Sequence, residues 1–186
     1  MTDTGIETVK TDRCVVERLD PAQIRAQAAG GLARLLVDAV DGGASIGFLA
    51  PLEEAEAASW WRAAAEEAER GVRDVWAAYG PGRRPLGAVT LVRGDKANAR
   101  HRGEIARLVV HREARGRGLG ARLLATAEAA AAEAGLTLLV LDTETGSPAE
   151  RLYRAAGWTP AGVIPDYAAD PSGVLRPTTL YYKRTA

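Results

Sequence analysis

Cysteine is nearly absent from this sequence, because Cys14 is the only one among 186 residues. One cysteine cannot form a disulfide within the chain, and it cannot supply several thiolates to a zinc site. Histidine is almost as scarce, and neither His101 nor His111 has carboxylate or histidine neighbours at the spacing of metal ligands. The sequence therefore predicts no metal site. Cys14 is expected to be a buried apolar side chain, and the two histidines are expected at the surface or in loops.

The chain also lacks an excess of charge of either sign, since 24 Lys and Arg residues are balanced by 24 Asp and Glu residues. No overall field would attract nucleic acid or an anionic membrane surface. Long hydrophobic runs are missing as well. No apolar stretch approaches the roughly 20 residues that cross a bilayer, and no basic start followed by an apolar run opens the chain. These absences predict a cytoplasmic protein with no nucleic-acid partner and no membrane partner.

The length of the chain suits a single domain over residues 1–186, because it allows one hydrophobic core and is short for two. Residues 14–19 predict a first strand. Apolar residues at three-and-four spacing across residues 24–40 predict one helix that ends at a glycine pair. Asp20 and Pro21 suit the N-cap and the first position of a helix start.

A second helix is predicted over residues 52–70, which are rich in alanine and glutamate. Trp60 and Trp61 lie in this segment and could serve either in the core or in a homodimer interface. A glycine-rich loop over residues 41–48 precedes the helix. Its glycines permit a close backbone approach, so the loop is a candidate lip over a binding site.

The rest of the chain alternates between strands and helices. Turn formers at residues 80–85, between the strands over 75–79 and 86–92, predict a hairpin. The strand over residues 136–141 is almost wholly apolar, which predicts cover on both faces and a parallel pairing crossed over by the preceding helix. The fold class is therefore mixed α/β, a single domain with parallel central strands flanked by helices. Strands are predicted over residues 75–79, 86–92, 104–111 and 136–141, after residue 158 and over 175–183, with helices over 119–134 and 148–156.

A turn rich in glycine and arginine joins the strand over residues 104–111 to the next helix. The first N–H groups of a helix have no intrahelical partner and lie at the positive end of its dipole, which favours a bound anion. Arginines add fork-shaped donors for phosphate oxygens. Ala121 breaks the dinucleotide fingerprint, and no G-K-[ST] follows. Taken alone, this is also the pattern of a surface turn with solvated arginines. The turn comprises Arg115, Gly116, Arg117, Gly118, Leu119 and Gly120, with Arg112 and Arg122 beside it.

In combination, these segments resemble the GNAT superfamily of N-acetyltransferases. The resemblance rests on the strand over 105–110, the R-x-x-G-x-G pattern of 115–120 and the Tyr-Arg-Ala-Ala-Gly-Trp sequence of 153–158. It is closer to the tabtoxin-resistance acetyltransferase type through residues 42–48, 141–147 and 165–183. Residues 1–40 and 63–102 match only in layout.

The resemblance implies that acetyl-CoA is the co-substrate and that the phosphate turn, Arg115 to Gly120, holds its pyrophosphate. The pantetheine arm would then pair with the preceding strand. A backbone amide near Leu108 or Val109 could hydrogen-bond the thioester oxygen. Many members have an asparagine after the second parallel strand, and Ser147 is the candidate to replace it here. The cofactor-binding residues implied are Leu108, Val109, Val110, Arg115, Gly116, Arg117, Gly118, Leu119, Gly120 and Ser147.

Acetyl transfer to an amine requires a base for the amine, polarisation of the thioester carbonyl and a proton for the departing thiolate. Tyr153 matches the tyrosine near the coenzyme sulfur in the family, although its spacing alone would indicate a core residue. Glu104 and Asp142 are the base candidates, and either could instead bind a cationic acceptor. Their structural alternatives are a solvated strand-end charge for Glu104 and a turn cap for Asp142.

The leading hypothesis is an acetyl-CoA-dependent N-acetyltransferase for a small amine or amino-acid-like acceptor, with detoxification of a toxin or antibiotic as its role. Two alternatives stay open. One is acetylation of a protein N-terminus or lysine, and the other is a sensor that binds acyl-CoA without turnover.

Overall fold

The structure, a computed structural model, describes residues 14–185. Within them, the chain forms seven strands and five α-helices, and two short 3₁₀ turns lie at residues 81–83 and 112–114. The strands are β1 Val15–Leu19, β2 Arg73–Tyr79, β3 Pro85–Arg93, β4 Arg102–Val110, β5 Leu138–Glu144, β6 Thr159–Ala169 and β7 Leu175–Arg184. The helices are α1 Pro21–Ala28, α2 Gly31–Asp41, α3 Glu54–Glu69, α4 Leu119–Glu133 and α5 Pro148–Ala155.

The seven strands form one sheet in the order β1-β2-β3-β4-β5-β7-β6. The predicted hairpin of β2 and β3 is confirmed. The parallel pairing across the α4 crossover is also confirmed, and β4 with β5 is the one parallel pair among the described strands. The mixed α/β fold class is therefore confirmed. No helix in the described part of the chain combines the length and apolarity that a bilayer crossing needs.

Two hydrophobic cores cover the two faces of the sheet. The first lies under α1, α2 and α3 and includes Trp61, which is fully buried and donates its indole N–H to the Leu32 carbonyl oxygen at 2.9 Å. Trp61 is thus a core residue, while Trp60 is half-buried at the edge of the same core. The second core lies under α4 and α5 and contains Cys14, as the sequence predicted.

The prediction of one helix over residues 24–40 is wrong, because the chain turns at Ala29 and Gly30 and forms α1 and α2 instead. The predicted start is correct, because Asp20 is the N-cap: its carboxylate accepts a hydrogen bond from the backbone N–H of Gln23 at 2.8 Å. The break follows from packing. A Cβ on Gly31 would lie 2.6 Å from Pro85 Cδ, so the first turn of α2 reaches β3 only through a glycine. Both helices bury apolar faces, which explains the continuous periodicity.

The prediction that β5 is covered on both faces is also wrong. Leu139 and Leu141 are buried in the second core, whereas Val140 is half-buried and Asp142 is exposed on the other face. Pairing between β4 and β5 extends only to Glu104 and Val140. The two strands separate beyond this point, so the edge of β5 that faces β4 is unpaired near its end, while its other edge stays paired with β7 up to Glu144.

A bulge in β4 lies where the strands separate. Ala106 is opposite Thr90 and Val109 is opposite Ala88, so Arg107 and Leu108 share the space opposite Val89. Arg107 adopts a φ of 51°, an uncommon value for a residue with a side chain. A bulge bends a strand and reverses its alternation. Accordingly, β4 contributes Ile105 to the core under α4 and then Val109 to the core under α1 to α3.

Candidate active site

A cavity of about 600 Å³ lies in the gap between the ends of β4 and β5. Its walls are the last residues of β4, the end of β5 with the following turn, the loop after α2 and the N-terminus of α4. Most of the predicted cofactor-binding residues line it, which brings together segments far apart in the chain. Those in its wall are Leu108, Val109, Val110, Arg115, Gly116, Gly118, Leu119, Gly120 and Ser147, and Arg117 is not among them.

The glycine turn opens α4 towards this cavity. Gly118 is the N-cap with a φ of 78°, a left-handed conformation that any side chain would strain. The first hydrogen bond of the helix runs from the Arg122 amide to the Gly118 carbonyl oxygen at 3.0 Å. The N–H groups of residues 119–121 therefore have no intrahelical acceptor. Nothing lies within 4 Å of a Cβ built on Gly116 or Gly118, so the turn leaves room for an anion the size of a phosphate.

Of the arginines near the turn, Arg115 is the one in the cavity wall. Its Nε donates to the Val110 carbonyl oxygen at 3.0 Å, which ties the guanidinium to the end of β4. The same guanidinium lies 2.9 Å from the position of a Cβ on Gly42, so this glycine lets the loop approach it. Arg122 instead donates to the Cys14 carbonyl oxygen at 2.7 Å and is not in the cavity wall.

Asp38 is a contributor that sequence reasoning missed. Its carboxylate accepts from the Arg112 backbone N–H and from Arg112 Nε, both at 2.8 Å, and lies 3.5 Å from His111 Nε2. Burial raises the pKa of Asp38, but the hydrogen bonds from Arg112 outweigh it and lower the pKa overall. The carboxylate thereby fixes α2 to the segment that leads into the glycine turn. Nothing in the helical pattern of residues 31–41 distinguishes it.

The two predicted base candidates lie on one face of the sheet, beside the cavity rather than in its wall. Glu104 pairs with Val140, and Asp142 follows two residues later on the same strand, so all three share a face. Both carboxylates are exposed, yet Glu104 is surrounded by enough protein to be partly desolvated. That desolvation and the charge of Asp142 raise the pKa of Glu104, against the opposing charges of three arginines, Arg73, Arg107 and Arg102.

Tyr153 packs inside the second core, with its ring 6.1 Å from that of Trp158 and 6.4 Å from that of Tyr181. The adjacent Leu152 is in the cavity wall, but Tyr153 is not. Its hydroxyl has no hydrogen-bond partner among residues 14–185. Burial and then the charge of Asp142 raise the pKa of Tyr153, so the phenol is protonated at neutral pH and has a proton to donate.

Ser147 lies in the cavity wall and is also the N-cap residue of α5. Its hydroxyl caps α5 by accepting from the Glu150 amide at 3.1 Å, and it lies 3.3 Å from the Thr143 hydroxyl. If Ser147 replaces the asparagine that contacts the pantetheine in many family members, the same hydroxyl must also cap α5. Glu150 is held by Gly146, Arg154 and Tyr181, which together lower its pKa to about 2 despite burial.

A family model for the acetyltransferase (GNAT) family matches residues 44–158, which include β4, the glycine turn, α4 and β5. The match spans more than half of the chain. The protein belongs to the acetyltransferase (GNAT) family. It is therefore an acetyl-CoA-dependent acetyltransferase, which answers the question that the glycine turn alone left open.

Solved structures show the same fold. An N-acetyltransferase from Staphylococcus aureus Mu50 superposes with a TM-score of 0.75 at 15% identity, covering 93% of this chain and 99% of that one. A ribosomal-protein-alanine N-acetyltransferase from Brucella melitensis gives 0.73 at 22% identity, with 91% and 99% covered. A Salmonella typhimurium protein assigned as an acetyltransferase, whose structure contains acetyl-CoA as its cofactor, gives 0.73 at 20% identity, with 94% and 95% covered.

The free amides at the start of this GNAT acetyltransferase's α4, together with the space beside Gly116 and Gly118, fit the pyrophosphate of acetyl-CoA. The cavity between β4 and β5 fits the pantetheine arm. Among residues 14–185, no three His, Cys, Asp or Glu side chains cluster as metal ligands would.

Proposed function

We propose that this acetyltransferase acts as a single domain over residues 1–186 and moves the acetyl group directly onto the amine of a small, amino-acid-like molecule. The observation that supports this best is the placement of Glu104 and Asp142 on one sheet face, where β4 and β5 separate at the edge of the cavity. Two carboxylates at that point can hold a protonated amine and accept its proton. The resemblance to the tabtoxin-resistance type supports detoxification of a toxin or antibiotic as the biological role.

In this mechanism Glu104 is the base, since its raised pKa makes it a better proton acceptor than an ordinary glutamate. Asp142 holds the ammonium group of the acceptor before the proton leaves. A backbone N–H near Leu108 or Val109 polarises the thioester oxygen. Tyr153 donates its proton to the departing thiolate, and the phosphate turn with Arg115 fixes the coenzyme.

A small acceptor is favoured because the loop after α2 closes over the site. A Cβ on Gly47 would lie 2.9 Å from the Arg107 guanidinium, and one on Gly42 equally close to that of Arg115. The loop therefore lies directly on both arginines and narrows the approach to the cavity. A groove for an extended peptide would need that space to be open.

Incubation of the purified protein with acetyl-CoA and a panel of amines, followed by measurement of thiol release, tests the proposal. The panel should contain amino acids, polyamines, aminoglycosides and short peptides with free N-termini. We expect turnover with small amines well above that with peptides. Turnover confined to peptides would favour the alternative of protein acetylation, and no turnover with any amine would refute the proposal.

Replacing Tyr153 with phenylalanine is expected to lower kcat by about 10²-fold or more, with unchanged affinity for acetyl-CoA, because the proton for the thiolate is lost. The melting temperature should stay the same, since the hydroxyl has no partner to lose. Tyr181→Phe is the matched control: its hydroxyl donates to Glu150 at 2.9 Å, so stability should fall while kcat stays constant. Equal kcat for wild type and Tyr153→Phe would leave Tyr153 as a core residue only.

A further inference from the structure

We propose that Arg107 binds an anionic group of the acceptor, and that the acceptors are therefore zwitterions of the α-amino-acid class. This inference rests on the proposed function and specifies its substrate. It makes Arg107 a specificity-determining residue, which neither the family match nor the sequence pattern indicates.

The first support is the way in which the fold holds Arg107. The bulge in β4 turns this residue out of the regular alternation, at a φ of 51°. Its guanidinium carbon lies 5.5 Å from the ring centre of Phe48 and 5.2 Å from that of Trp60, a geometry of cation–π contacts. Gly47 leaves the space that the guanidinium occupies. The side chain is thus fixed by its surroundings before any ligand arrives.

The second support is that this fixed cation lacks polar partners. Arg107 Nε is buried without a hydrogen-bond partner, and no carboxylate forms an ion pair with the guanidinium in the described part of the chain. Leaving a charged donor buried and unpaired is costly, so such groups normally have a partner. Arg73 shows the contrast. It also lies over Trp60, but its Nε donates to the Glu67 carboxylate at 2.6 Å and its Nη1 donates to the Thr90 hydroxyl at 2.9 Å.

The third support is the arrangement of opposite charges beside it. The charges of Glu104 and Asp142 both act on Arg107, although neither carboxylate pairs with it. An α-amino acid carries its ammonium and its carboxylate on one carbon. A site for it therefore needs a carboxylate and a cationic side chain that lie close together without pairing with each other. A guanidinium is the side chain best matched to a carboxylate, through two parallel hydrogen bonds.

The fourth support is continuity with the acetyl-CoA cavity. The cavity wall includes Ile46, Leu108 and Thr143. They are the chain neighbours of Gly47, Arg107 and Asp142, which are respectively the glycine beside the guanidinium, the arginine itself and one of the two carboxylates. An acceptor held by Arg107 through its carboxylate would present its amine between the two acids at the end of the cavity.

The test compares α-amino acids with their α-amides, which keep the same amine and side chain but have no negative charge. The variants are Arg107→Met, Arg107→Lys and the control Arg102→Met, assayed for thiol release above the acidic limb of the pH profile. Arg102 is an exposed residue of the same strand whose charge also acts on Glu104. Its replacement therefore reports the effect of lost charge without lost contact.

We expect the wild type to prefer the acid over the amide in kcat/KM. In Arg107→Met, kcat/KM should fall on the order of 100-fold for the acid and only slightly for the amide, chiefly through KM. Arg107→Lys should recover part of the loss because it keeps the charge but not the fork. Arg102→Met should retain the wild-type preference.

Three outcomes would overturn the inference. If the wild type acetylates acids and amides equally well, the anion is not recognised, although acetyl transfer to small amines stands. If Arg107→Met lowers kcat/KM equally for the acids and for the amides, the arginine only supports the fold. If Arg107→Met does not fold, equal acid-to-amide ratios in Arg107→Lys and wild type decide against the inference. Absence of turnover with every amine would instead refute the proposed function itself.

Discussion

Replacing Glu104 with glutamine is expected to lower kcat/KM for amine acetylation by about 10²- to 10⁴-fold, the usual contribution of a general base. Glutamine keeps the size and much of the polarity of the side chain but cannot accept a proton. Binding of acetyl-CoA, measured by calorimetry, should not change, because Glu104 is outside the cavity wall. A Glu104→Gln enzyme with wild-type kcat/KM would show that another group takes the proton.

The pH dependence of kcat/KM gives an independent test of Glu104 as the base. Burial and the charge of Asp142 raise the pKa of Glu104, so the acidic limb of kcat/KM should lie above the range of an ordinary glutamate. Asp142→Asn removes one cause of that rise, so the limb should move to lower pH. Arg102→Met removes a charge that lowers the same pKa, and the limb should move to higher pH. Shifts in the same direction, or no shifts, would contradict the assignment of Glu104 as the base.

Replacing Ala121 with glutamate is expected to stabilise the protein and to weaken its binding of acetyl-CoA. Ala121 is exposed in the first turn of α4 and is part of the cavity wall. A carboxylate there interacts favourably with the helix dipole and should raise the melting temperature by roughly 1 to 3 °C. The same charge repels the pyrophosphate, and affinity for acetyl-CoA should fall by roughly 10- to 100-fold.

Ala121→Gln is the matched control, because it has the same shape without the charge. Its affinity should stay close to that of the wild type, and the difference between the two variants should shrink as salt is added. Equal losses in both variants would mean that bulk, and not charge, is responsible. Unchanged affinity in Ala121→Glu would place the pyrophosphate away from the start of α4.

Much of the fold could be predicted because its signals are local. Turn formers define the hairpin of β2 and β3, and Asp20 and Pro21 define the start of α1. The glycine turn was readable for the same reason, since its residues are consecutive. The break between α1 and α2 could not be predicted, because the apolar residues of the two helices follow one continuous helical periodicity. Its cause is the contact of Gly31 with Pro85, which is distant in the sequence.

The site was predictable only in part, because its less obvious members depend on contacts between distant segments. Asp38 reads as an ordinary residue of a helix until it meets Arg112, 74 positions further on. Arg107 reads as one residue of a regular strand, and only the register shift against β3 reveals the bulge that redirects it. Phe48 and Trp60 then hold the Arg107 guanidinium against their rings, a role that the sequence around either residue does not indicate. Such pairings arise from the sheet register, which a single sequence does not display.

A crystal structure with coenzyme A bound would test the central claim most directly. We expect the pyrophosphate within hydrogen-bond distance of the backbone N–H groups of residues 118–121, and the pantetheine arm in the gap between β4 and β5. The sulfur should then lie near Leu108, with Glu104 and Asp142 facing the open space beyond it. A sulfur atom remote from both carboxylates, or a coenzyme bound outside the gap, would contradict this account.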